Sequence, residues 1–106
     1  MSRTFFYRMP EGREPFVEDI KAVRNHREVV RIWARIRRAE LGNLGDWRSV
    51  GGGVLELRIP EGPGYRVYLG FGRGQMIILL CAGDKSTQEA DIRRAHGYWV
   101  DYWRHQ

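Results

Sequence analysis

Glu56, Arg58, Arg66 and Tyr68 occupy alternate positions of two short segments, "VLELRI" and "YRVYLG", separated by the turn "PEGPG". Side chains alternate across a strand, so antiparallel pairing over that turn sends all four out of one sheet face. Two guanidiniums, a carboxylate and a phenol on one surface can hold a phosphate, stack a base and move a proton. Lys85 follows the next apolar segment at the start of a helical pattern, where free N–H groups and a partial positive charge favour an anion. Arg58, Arg66 and Lys85 therefore predict a cradle for a nucleic-acid backbone. Tyr68 is expected to stack a base, and Glu56, the one carboxylate on that face, is the candidate general base. The plainer reading is an exposed sheet face carrying solubilising charge.

A second basic set lies upstream. Arg27, Arg31, Arg35 and Arg38 recur at spacings of four, four and three, which places them along one side of a helix. Such a stripe is either a solvated face or a docking surface for RNA or an acidic peptide, and Arg31, Arg35 and Arg38 are the RNA-binding candidates. His26, His96 and His105 do not adjoin the sheet motif in sequence. No cluster of metal-ligand spacing is present, so no metal and no cofactor is expected. Trp99, Tyr102 and Trp103 read as core or partner-docking residues, and "GDKSTQ" lacks the glycine spacing of a phosphate-binding loop.

The elements that must position these residues follow from the periodicity. "TFFYR" predicts a short opening strand, and Pro15 suits the first turn of a helix carrying Phe16, Ile20 and Val23. A second helix starts near Asn25 and ends at Gly42, with Val29, Trp33, Ile36 and Glu40 as its expected inner stripe, widened by Val30 and Arg37. The two form a helical hairpin on one side of a sheet. From Trp47 the period is two: "GGG" bends the chain, and Leu55, Leu57 and Ile59 face opposite to Glu56 and Arg58. "QMIILLCA" is apolar at nearly every position and predicts a strand covered on both faces. A closing helix carries Ile92, Ala95, Trp99 and Tyr102 on one face, with Ser86 and Glu89 as a capping box and Gly97 weakening its middle.

Length and composition bound the classes. The 106 residues make one domain, 1–106, with 42% hydrophobic residues and 13 aromatic side chains (four Trp, five Tyr, four Phe), enough for a packed core. Eighteen Lys and Arg against 13 Asp and Glu, a net charge of +5, suit an anionic partner. A single cysteine, Cys81, sits in an apolar run and excludes an internal disulfide. No segment reads as a signal peptide or a membrane span, so a cytoplasmic protein that does not engage a membrane is expected.

Several segments carry a resemblance. "GNLGD", "GGGVLELR", "GPGYRVYL" and "AGDKSTQEADI", in that order, together with the upstream "PEGREPFVEDIKAVRN", resemble the signature of the addiction-module-killer toxins. These are HigB-like, phage- and plasmid-associated proteins of the RelE/ParE superfamily, and the resemblance covers almost the entire chain. It implies an α+β, RelE-like compact domain: an N-terminal helical hairpin packed on a curved, mostly antiparallel sheet, with a C-terminal helix. It also implies the toxin of a type II toxin–antitoxin system. RelE- and HigB-type members are messenger RNA interferases, metal-independent endoribonucleases that usually act on the ribosome. ParE-type members inhibit DNA gyrase without nuclease chemistry, and a catalytically inactive, antitoxin-binding relative is the third alternative.

The resemblance also bears on single residues. Arg66 matches the arginine that the nucleases place on the scissile phosphate. Glu56 and Arg58 fall where RelE has two lysines, and Lys85 falls near a second catalytic arginine. The later tyrosine of RelE has no clear counterpart, since Asp91 stands about there. The implied partners are a cognate antitoxin, a HigA-like helix-turn-helix protein, together with mRNA and the ribosome. Operator DNA would be reached only through the antitoxin.

Overall fold

The computed structural model describes residues 2–106. The chain opens with strand β1 (Thr4–Phe6), followed by helices α1 (Pro15–Lys21) and α2 (His26–Glu40). Strands β2 (Trp47–Ser49), β3 (Leu55–Ile59), β4 (Tyr65–Phe71) and β5 (Ile77–Asp84) come next, and helix α3 (Gln88–Arg104) closes the chain. The five strands form one mixed sheet in the order β1-β5-β4-β3-β2. Only the β1–β5 pairing is parallel; β2–β3, β3–β4 and β4–β5 are antiparallel. The architecture is α+β, with helices on both faces of the sheet.

Local chemistry sets the boundaries. Pro15 opens α1, and the Asn25 side chain caps α2 by accepting from the amides of Arg27 and Glu28. Gly42, at φ +96°, ends α2 in the left-handed conformation that a side chain disfavours. The start of α3 departs from the Ser86/Glu89 capping box expected from sequence. Asp84 instead caps the 3₁₀ turn Lys85–Thr87 that leads into α3, its carboxylate accepting from the Ser86 amide at 2.8 Å, and the N-cap residue of α3, Thr87, makes no side-chain cap bond. The Ser86 hydroxyl donates to the same Asp84 carboxylate, which turns it away from the amide of Glu89.

Alternation along β3 and β4 divides two cores. Leu57, Ile59, Val67 and Leu69 pack with Phe16 and Ile20 of α1 and Ile32, Ile36 and Ala39 of α2. On the opposite face Tyr68, Ile78, Leu80 and Cys81 pack with Ala95 and Trp99 of α3. β5 is buried from Ile77 to Ala82 because helices cover it from both sides.

The inner face of α2 is rotated from the expected stripe. Ile32, Arg35, Ile36 and Ala39 are buried, whereas Trp33 is 40% exposed. Trp33 instead lies edge-on against Phe6 and Phe16 at the rim. Gly70 of β4 and Trp99 of α3 meet so closely that a Cβ on Gly70 would stand 2.6 Å from the indole ring. No described helix is long and apolar enough to cross a membrane.

Candidate functional site

Register fixes the first relationship. β3 and β4 pair Glu56 with Tyr68 and Arg58 with Arg66, and β2 sets Arg48 opposite Glu56. These side chains leave the sheet on the α3 side, beyond the first turn of that helix. Gln88, in that turn, reaches down to the Glu56 carboxylate at 2.9 Å.

Glu56 is therefore fully buried, and it is the hub rather than a reactive group. It accepts from Arg48 Nε at 2.8 Å, Tyr68 Oη at 2.9 Å, Gln88 Nε2 at 2.9 Å and Arg58 Nε at 3.4 Å. Burial alone would raise its pKa, but hydrogen bonds from Arg48, Gln88 and Tyr68 outweigh it and hold the group at about 2. A carboxylate so acidic and so fully occupied is a poor proton acceptor at neutral pH, which corrects its expected role as general base. Tyr68 is corrected too. Its ring is wholly buried, and its hydroxyl donates to Glu56, so it offers no face to a base. Burial, then the bond to Glu56, pushes its pKa up.

Arg66 differs in kind. Its side chain is 13% exposed, and its nearest anion is Glu56, 3.6 Å from Nε. Both Nε and Nη1 are buried without a hydrogen-bond partner. Those two nitrogens are enclosed, so the exposed 13% of the side chain is the edge it can offer a ligand in the cleft. Arg66, Arg58 and Lys85 line one cleft of about 400 Å³, with Asp46, Tyr65 and the Pro60–Gly64 turn as its other walls. Arg58 also pairs with Asp46, Nη1 to Oδ1 at 3.5 Å. The Lys85 side chain lies along Gly64, where a Cβ would come within 3.0 Å of its Cε. Gly64, at φ +83°, lets the lysine stem pass and the turn close. The expected convergence of Arg58, Arg66 and Lys85 is thus present, but the expected helix end is not part of it, because the first turn of α3 does not line this cleft.

The α2 stripe does not lie on one exposed face. Arg31 and Arg38 are exposed, but Arg35 is 6% exposed. Its Nη2 donates to the carbonyls of Leu44 and Asp46, and its guanidinium lies beneath Gly45, whose φ of +59° and missing Cβ admit it. Arg35 thus ties the α2–β2 loop to the helix and sets the backbone of Asp46, which moves it from the exposed stripe expected of it to the floor of a groove. Arg31, Arg35 and Arg38 nonetheless line a groove of about 420 Å³ that shares Asp46, Arg58, Ile59 and Pro60 with the first cleft.

Sequence reasoning missed Arg48, Gln88 and Asp46. Arg48 and Asp46 adjoin the site only through the β2–β3 register, set across the loop bearing Gly51–Gly53. Gln88 could have been found from its place in the first helical turn, three residues past Lys85. Of the histidines, His96 Nε2 lies 2.9 Å from the Val50 carbonyl and His105 Nδ1 2.8 Å from that of Asp101. Cys81 is buried, which pushes its thiol up to about 12. Among the described residues no group of three or more His, Cys, Asp or Glu could hold a metal ion.

No family model matches the chain. A protein of Haemophilus influenzae, described as an uncharacterized protein, is 53% identical over 76 residues, covering 72% of this chain and 77% of that protein. Identity at that level over that span places both in one lineage, and the chain belongs to the same family as this Haemophilus influenzae protein.

Proposed function

We propose that the chain is a RelE/HigB-like toxin of a type II toxin–antitoxin pair that binds messenger RNA in the Arg58–Arg66–Lys85 cleft and cleaves it. The RelE-like identity and the helical hairpin of that fold belong to this proposal. The observation that carries it is Arg66, a nearly buried guanidinium that makes no hydrogen bond among the described residues and lines one cleft with Arg58 and Lys85. The order of the sequence motifs supports it independently.

In this reading the RNA 2′-oxygen attacks the adjacent phosphorus, and the bond from phosphorus to the 5′-oxygen breaks. Arg66 and Arg58 donate to the equatorial oxygens as charge builds on the phosphorane. The Lys85 ammonium protonates the leaving 5′-oxygen. With Glu56 withdrawn, Asp46, the carboxylate lining the cleft, takes the 2′-hydroxyl proton. The products are a 2′,3′-cyclic phosphate and a 5′-hydroxyl. Removing one such preorganised donor costs about 100- to 1,000-fold in rate.

The test is brief induction in cells followed by primer-extension mapping of transcripts. Cuts within translated codons are expected from the wild-type chain and none from Arg66→Ala. Growth arrest with intact transcripts and a linearised chromosome would replace this reading with gyrase inhibition. A cognate antitoxin is expected to abolish the arrest.

A further inference from the structure

We infer that a second anion subsite, between α2 and the β3–β4 turn, adjoins the cleft, so that the ligand is a single RNA strand held at successive phosphates. The inference rests on the proposed function, because it concerns the same ligand. Three observations meet here. Arg31, Arg35 and Arg38 line a groove that shares Asp46, Arg58, Ile59 and Pro60 with the Arg66 cleft, making the two spaces adjacent. Arg35 is 6% exposed, and its Nη1 is buried with no hydrogen-bond partner. Its Nη2 is bound by carbonyls, and it forms no ion pair among the described residues; Asp46 acts on it only from beyond contact distance. A buried cation without a counter-ion is costly unless an anion completes it.

The two spaces together hold Arg31, Arg35, Arg38, Arg58, Arg66 and Lys85 against Asp46 and Glu61. Such an unbalanced, elongated lining suits a chain of phosphates better than a single one. The groove runs between one helix and one hairpin turn, which suits one strand tracked along its backbone. Arg31 and Arg38 stand at the rim, where they meet phosphates without base readout. Arg35 acts from below, by its field and by holding the loop that carries Asp46.

The experiment compares 2′-O-methyl oligouridylates of two and six nucleotides, which cannot be cleaved at the 2′-oxygen, binding to the wild-type chain and to Arg31→Ala/Arg38→Ala. Both positions are exposed helix surface, and circular dichroism checks that the double variant folds. The wild-type chain is expected to favour the hexanucleotide by at least tenfold. In the double variant that length advantage should fall about tenfold, and the hexanucleotide's salt slope should drop by about 0.7 per lost phosphate contact. An intact length advantage and slope in the double variant would overturn the second subsite while sparing the Arg66 cleft. Failure of the wild-type chain to bind either probe would overturn the RNA reading and this inference with it.

Discussion

Arg58 and Arg66 stand directly opposite one another across the antiparallel β3–β4 pair, and the Glu56 carboxylate lies within 3.4 Å of the first and 3.6 Å of the second. Like charges in facing positions destabilise a sheet by roughly 0.2–1 kcal/mol. Glu56 offsets that, but it is also bound by Arg48, so three guanidiniums share one carboxylate. The surplus positive charge is what an incoming phosphate would neutralise.

Arg66→Met should therefore separate stability from binding. The substitution keeps much of the side-chain volume and removes two buried nitrogens that make no hydrogen bond, while Glu56 keeps its bonds from Arg48, Tyr68 and Gln88. Its thermal midpoint is expected to stay level or rise, by up to about 1 kcal/mol of stability, while growth inhibition is lost. Differential scanning fluorimetry beside a plating assay reads both quantities.

Glu56 gives the fold a definite acid sensitivity. Its folded-state pKa of about 2 lies below its ordinary value of 4.5. The stabilisation is thus complete above about pH 5 and is lost as pH falls toward 2, and a depression of that size is worth about 3 kcal/mol. Glu56→Gln should destabilise the protein at pH 7 by about 3 kcal/mol or more, because Arg48, Arg58 and Arg66 lose their common anion. Urea unfolding between pH 7 and pH 3 should show a shallower slope with pH for the variant than for the wild-type chain.

Asp46 is expected to oppose binding and assist cleavage. Its side chain is 65% exposed and pairs with Arg58 at the junction of the two basic spaces. Asp46→Asn should tighten RNA binding by about threefold through removal of a repulsive charge. Cleavage should slow by about 100-fold through loss of the proton acceptor. Binding measured on an inert 2′-O-methyl probe and single-turnover cleavage on ribosome-bound message resolve the two effects.

Two glycines predict opposite outcomes for one substitution. Gly97 lies inside α3 with nothing within 4 Å of an added Cβ, so Gly97→Ala should stabilise the protein by about 0.5–1 kcal/mol. Gly70→Ala would drive a Cβ into the Trp99 ring and should destabilise by about 1–3 kcal/mol. Chemical denaturation of the two variants checks both signs.

What the sequence revealed and what it hid divide along physical lines. Alternation in Leu55–Ile59 and Val67–Phe71 correctly separated the two faces of β3 and β4, because strand period depends only on neighbours in the chain. Gly42 and Pro15 marked helix ends for the same local reason. Depth was not legible. Glu56 and Tyr68 share a face with Arg58 and Arg66, yet α3 covers the first pair and leaves the second at the cleft. That difference depends on where Gln88 and Trp99 land, contacts made across about 30 residues of chain. Arg35 was placed with its exposed neighbours because charge implies surface; the carbonyls of Leu44 and Asp46 and the missing Cβ of Gly45 make its burial tolerable. The spacing of Val29, Trp33, Ile36 and Glu40 turns Trp33 inward, whereas Ile32 and Ile36 fill the facing space.

The central claim is that the Arg66 guanidinium receives a phosphate. Its side-chain Nε–H resonance, assigned by its disappearance in Arg66→Lys, can be followed by ¹⁵N NMR while an inert 2′-O-methyl RNA hexanucleotide is added. A saturable shift of that signal at the same midpoint as binding is the predicted result. Binding that leaves the Arg66 signal in place while signals elsewhere move would contradict it.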